Sequence, residues 1–103
     1  MIEATFRRSG TSLVAVNVKG HAGLAPAGED ILCAGVSVAI QMTANGITEV
    51  LKEKAAVEVR EDQVSITLPV RPEGAASLFL EALLLQLILL REEYPRHITV
   101  TEV

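Results

Sequence analysis

Two residues in this 103-residue chain have types and spacing suited to chemistry: His21, one of two histidines, and Cys33, the single cysteine. A run rich in glycine, alanine and proline separates them. Cysteine attacks an acyl carbon as the thiolate, and the step also needs a base and donors for the developing oxyanion. His21 is the residue type that serves as base. Asp30 can orient that base as the third member of a triad, or it can simply cap a helix start. A carboxylate beside a thiolate disfavours the thiolate, which argues for Asp30 pointing elsewhere. Ser37, one helical turn beyond Cys33, either donates a hydrogen bond towards the site or packs as a small residue. Gly20 and Gly23 permit backbone angles, or a close substrate approach, that a side chain would block, and Gly28 can hinge the loop. The plain readings stand beside these. A lone cysteine in an apolar helix is commonly a buried small hydrophobe, and a histidine beside glycine is commonly a turn residue.

The flanking elements decide whether the pair can meet. Ile2, Ala4 and Phe6 alternate with Glu3, Thr5 and Arg7, the period of a half-buried strand. After a turn at Ser9-Gly10, Val14, Val16 and Val18 alternate in turn, so the two strands form a hairpin that ends at Gly20-His21. Residues 22–28 form a loop, either a lid that orders over an extended peptide or an ordinary connector. Glu29-Asp30 opens a helix running to about Asn45, or onward to Lys52, since acidic residues suit the positive end of the helix dipole. Cys33 then lies in the first turn, where unpaired N–H groups favour a thiolate and can serve as oxyanion donors. Gly35 and Asn45-Gly46 weigh against one unbroken helix.

A second hairpin follows, with Ala55, Val57 and Val59, then a turn at Glu61-Asp62-Gln63, then Val64, Ile66, Leu68 and Val70. Pro69 suits the terminus of that strand or a sheet edge. Pro72 begins a second helix that Pro95 stops after Tyr94. Its polar stripe is narrow, made of Glu73, Ser77 and Glu81; the rest of Leu78–Leu90 is nearly all apolar and needs cover on most sides. Cover comes from the chain's other helix or from a second copy, and a homodimer through the Leu78–Leu90 helix is expected. Ile98 and Val100 make a last strand, with His97 a structural residue at its start. The expectation is one domain over residues 1–103, an α+β fold of order ββαββαβ, with a mostly antiparallel sheet packed against two helices.

Composition removes several functions. With 9 basic and 13 acidic residues the net charge is −4, contrary to a nucleic-acid surface. One cysteine forms no internal disulfide, which fits a reducing, cytoplasmic setting. The N-terminus lacks the order of a signal peptide, and the Leu78–Leu90 run falls short of the roughly 20 apolar residues of a membrane span. Two distant histidines and one cysteine make a poor metal site, and no cofactor is expected.

Gly20-His21-Ala22-Gly23, followed by Gly28-Glu29-Asp30-Ile31-Leu32-Cys33-Ala34 and Ser37, closely resembles the motif of the ribosomal-processing cysteine protease family, Prp. The resemblance extends over the whole chain in length and element order, but its specificity rests on these residues. It implies a small, dimeric cytoplasmic bacterial endopeptidase of α+β fold. Such an enzyme removes the N-terminal extension of large-subunit ribosomal protein number twenty-seven, cutting after a pair of phenylalanines. Cys33 would then be the nucleophile and His21 its base. Members often carry an aromatic residue in the loop that here reads Leu24-Ala25-Pro26-Ala27, a departure that bears on substrate contact rather than on the catalytic pair. The competing readings are a non-enzymatic dimeric module that holds a ribosomal protein in extended form, and a one-cysteine redox sensor.

Overall fold

The structure, a computed structural model, describes residues 1–20, 31–69 and 74–103. The alternating N-terminus forms β1 (Ile2–Ser9), which turns through Gly10 and Thr11 into β2 (Ser12–Gly20). Gly10 has φ +64°, the positive angle that a tight two-residue hairpin loop requires. Helix α1 (Ile31–Asn45) passes directly into a π-helical turn, Gly46–Val50, so the Asn45-Gly46 pair changes the winding without ending the helical path. A second hairpin, β3 (Ala56–Arg60) and β4 (Gln63–Thr67), precedes α2 (Gly74–Glu93) and β5 (Ile98–Glu102). The order is ββαββαβ, as expected from the sequence.

The strands lie side by side as β3-β4-β2-β1-β5, antiparallel except where β5 runs parallel to β1. One face of this sheet is polar and open, with Glu3, Thr5, Arg7, Lys19, Thr67, Thr99 and Thr101 exposed. The other carries Ile2, Ala4, Phe6, Val16, Val18, Ile66 and Ile98 into the core, against Leu80, Leu83, Leu84 and Leu87 of α2 and Leu32, Val36 and Ile40 of α1. With aromatics at 3% of the chain, aliphatic side chains fill the space between the layers. Arg8 joins three elements, meeting Glu81 on α2 at 2.6 Å and Glu102 on β5 at 2.8 Å. Those hydrogen bonds, the Glu81 one foremost, raise the guanidinium pKa further above its ordinary value.

Several sequence expectations change. Leu13, not Val14, is buried beside Val16 and Val18, because the β1–β2 register shifts between Arg7 and Arg8. A bulge adds one residue to a strand and so inverts the alternation on one side of it. Ser77 is not part of a polar stripe. It is buried, and its hydroxyl donates to the Leu13 carbonyl at 2.9 Å, next to that bulge. Gly74 is the first described residue of α2; the expected start at Pro72, with Glu73, lies outside the described residues. β4 is interior and ends at Thr67, so Pro69 stands beyond a strand terminus, where its missing N–H costs nothing. By length and composition alone Ile31–Val50 and Gly74–Glu93, 20 residues each, are long and apolar enough to cross a membrane. The count over Leu78–Leu90 understates that length. In this fold both pack into the core beside the sheet.

Candidate active site

The strand end, the first described turn of α1 and the second hairpin converge where β2 finishes. Gly20 closes β2 with φ +94°, and a Cβ there would strike the Met1 carbonyl oxygen. Its N–H donates to the Asp62 carbonyl at 3.0 Å, which ties the end of β2 to the β3–β4 turn. The glycine is therefore required by the fold itself: the Met1 backbone occupies the space that a side chain would need.

Across from it, Cys33 is the third described residue of α1 and is half-buried. Leu32 and Val36 on either side turn into the core, so Cys33 stands at the border between the buried and open faces of the helix. The expected helix start at Glu29-Asp30, and with it the first-turn position of Cys33, lies outside the described residues. The alternative of a fully buried small hydrophobe does not hold, because the thiol side chain is half-buried and lines a groove. Ser37 lines the same groove one turn on and is exposed.

The groove encloses about 740 Å³. It exists because α1 packs mainly on α2 and on its own π turn, leaving a gap towards the β3–β4 end of the sheet. Ile2, Val18 and Val64 form its floor, Cys33, Val36, Ser37 and Ile40 its helical wall, and Val57 and Val59 the opposite wall. Arg60, Glu61 and Asp62, at the β3–β4 turn, give the rim both signs of charge. Sequence reading missed Val57 and Val59, which look there like ordinary inward residues of a hairpin. Nothing in their own segment says that β3 is a sheet edge projecting past the helical layer. Gln41 and Asn45 also line the groove; they follow Cys33 and Ser37 at successive intervals of four, a row visible in the sequence once one end of it is assigned a role.

Gly20, Cys33 and Ser37 are thus brought together. His21, Gly23, Gly28 and Asp30, with the 22–28 loop, lie outside the described residues. Among the described residues no cluster of three or more histidine, cysteine, aspartate or glutamate side chains could hold a metal ion. The arrangement offers a half-exposed thiol on α1, facing an apolar trough with polar margins. That is suited to a covalent step on an extended, partly apolar chain.

Comparison with known proteins points the same way. The family model described as cysteine protease Prp matches residues 1–99. The ribosomal processing cysteine protease Prp of Bacillus subtilis is 26% identical over 108 residues, spanning 98% of this chain and 96% of that one. The crystal structure of a ribosomal processing protease Prp from S. aureus, in complex with a covalently linked product peptide, superposes with a TM-score of 0.93 at 24% identity over all of both chains. SMU.848 from Streptococcus mutans superposes with a TM-score of 0.88 at 29% identity, covering 100% of this chain and 94% of that one.

Proposed function

The chain belongs to the cysteine protease Prp family, and from that premise we propose that it removes the N-terminal extension of large-subunit ribosomal protein number twenty-seven in the bacterial cytoplasm, with Cys33 as nucleophile and His21 as general base. Family membership makes it a cysteine protease and sets aside the non-enzymatic and redox readings. The observation that carries the residue assignment is the placement of Cys33, the chain's only thiol, on α1 and lining the groove. The S. aureus relative was solved with a substrate peptide as well as with a covalently linked product peptide. A groove that holds an extended segment beside a thiol suits the same kind of ligand here.

In this reading the Cys33 thiolate attacks the carbonyl carbon of the scissile bond. The C–N bond breaks, the new N-terminal amine leaves with a proton from the His21 imidazolium, and a Cys33 thioester remains. Water, losing a proton to His21, then adds to the thioester carbon. The C–S bond breaks, a carboxylate is released and the thiol is restored. Backbone N–H groups of the first turn of α1 supply oxyanion donors. Asp30 caps that turn or orients His21, and Ser37 supports the site from one turn further along. Gly20 shapes the strand end before His21, and Gly23 and Gly28 are the remaining glycines of the motif.

The working unit is a homodimer. Its support is the apolar outer face of the helical layer: Leu78 is 67% exposed, Leu85 59% and Leu89 48%, alongside Val38 and Met42 of α1. A face of that kind on a small chain calls for a partner surface.

The test is cleavage of the precursor ribosomal protein by the purified chain. The wild type should cut after the phenylalanine pair, and Cys33→Ala and His21→Ala should each lose at least a thousandfold in kcat/KM while keeping the wild-type circular dichroism. Undiminished cleavage by the Cys33→Ala protein would end the proposal.

A further inference from the structure

The groove has two unlike walls, and its length is set by α1. On the helical side Cys33, Ser37, Gln41 and Asn45 recur every four residues, so polar side chains follow the thiol along the rim. Gln41 and Asn45 are both exposed, and each carries an amide with donor and acceptor capacity. On the far side Val57 is 37% and Val59 75% exposed, although both stand on the sheet face that elsewhere is the core. They pair across the hairpin with Ile66 and Val64, and Ile66 is fully covered. The two valines remain open because β3 is an edge strand and α1 does not reach over it. An apolar pair left uncovered in the same groove as a candidate nucleophile needs an apolar occupant.

We propose that α1 and β3 together form an extended-peptide subsite, in which Gln41 and Asn45 position the substrate backbone and Val57 and Val59 select apolar side chains beside the scissile bond. The assignment rests on the protease reading above and names the part of the fold that determines its specificity. From Cys33 to Asn45 the helix rises by about 18 Å. An extended chain advances about 3.3 Å per residue, so the row accommodates about five residues on one side of the cut. Successive side chains of an extended peptide point to opposite sides, which presents alternate residues to the valine wall and leaves the main chain to the amides. The occupant is the substrate segment itself, since the subsite is continuous with the groove that Cys33 lines.

The experiment uses the full chain and quenched-fluorescence peptides of the precursor sequence spanning the phenylalanine pair, each phenylalanine being replaced in turn by alanine. The wild type should prefer the phenylalanine peptide, and lengthening the peptide past about five residues on the subsite side should bring no further gain in kcat/KM. Val59→Asp should lower kcat/KM for the phenylalanine peptide about tenfold and largely abolish the preference over alanine. Gln41→Ala should raise KM several-fold for both peptides without altering the preference. Alkylation of Cys33 by iodoacetamide should run at the wild-type rate in both variants, showing an intact fold and thiol. Wild-type cleavage with full preference in Val59→Asp and unchanged KM in Gln41→Ala overturns the subsite. A wild type that alkylates but cleaves no peptide overturns the protease reading beneath it instead.

Discussion

At the scale of single residues, Gly20 and Cys33 show how the site is held. Cys33 borders the core through Leu32 and Val36, so the neighbours that fix its backbone are apolar and its own side chain remains towards the groove. Gly20 holds the strand end that leads into His21. At φ +94° an L-residue is strained, and the added Cβ meets main chain rather than a side chain that could swing away. Gly20→Ala is therefore expected to cost about 2–3 kcal/mol, read as a lower urea midpoint with an unchanged slope. A cost below about 0.5 kcal/mol would mean that the Met1 strand end shifts freely. Both residues stand out in the sequence, but for different reasons. The cysteine's chemistry is intrinsic to its type. The glycine's necessity depends on Met1, a residue remote from it in the chain, and no local pattern carries that.

At the scale of elements, the bulge in β2 governs how the hairpin meets α2. Two strand residues occupy the place of one, Leu13 turns inward, and the main chain around it must find partners other than the regular ladder. Ser77 donates to the Leu13 carbonyl, and the Val14 carbonyl accepts the Leu68 N–H at 2.9 Å. A serine in an apolar helix thus serves a specific carbonyl instead of marking a solvent face. Ser77→Ala removes the hydroxyl and leaves the buried carbonyl without that donor, for an expected loss of about 1–2 kcal/mol in chemical denaturation. Ser77→Ala at wild-type stability would show that the Leu13 carbonyl is satisfied in another way. Alternation with period 2 placed the strands, and acidic and proline start and stop signals placed the two α-helices, though not the π turn at Gly46–Val50. They could not reveal the bulge, because Leu13-Val14-Ala15-Val16 is apolar throughout and either register looks the same.

At the scale of the whole molecule, five strands with helices on one face bury one side of the sheet and leave the helices' outer face to be covered. Leu78, Leu85 and Leu89 are already in solvent in the monomer, so replacing one by a charged residue disturbs little within the subunit and much in a dimer. Leu85→Glu is expected to sediment as a monomer at micromolar concentration with an intact circular dichroism spectrum, while the wild type sediments as a dimer. A Leu85→Glu protein that stays dimeric would move the interface off this face. The sequence by itself determined the class and order of the elements, because strand alternation and the acidic and proline signals at helix ends are local. It also singled out the thiol and the imidazole as candidates, because reactivity belongs to the residue types and their two-part motif lies within residues 20–37. Only the tertiary structure decided which strand became the edge, that α1 leans on α2 and leaves a groove beside β3, and that Val57 and Val59 stand open in it. Those outcomes arise from contacts between segments distant in the chain, whose relative placement follows from packing the whole core together.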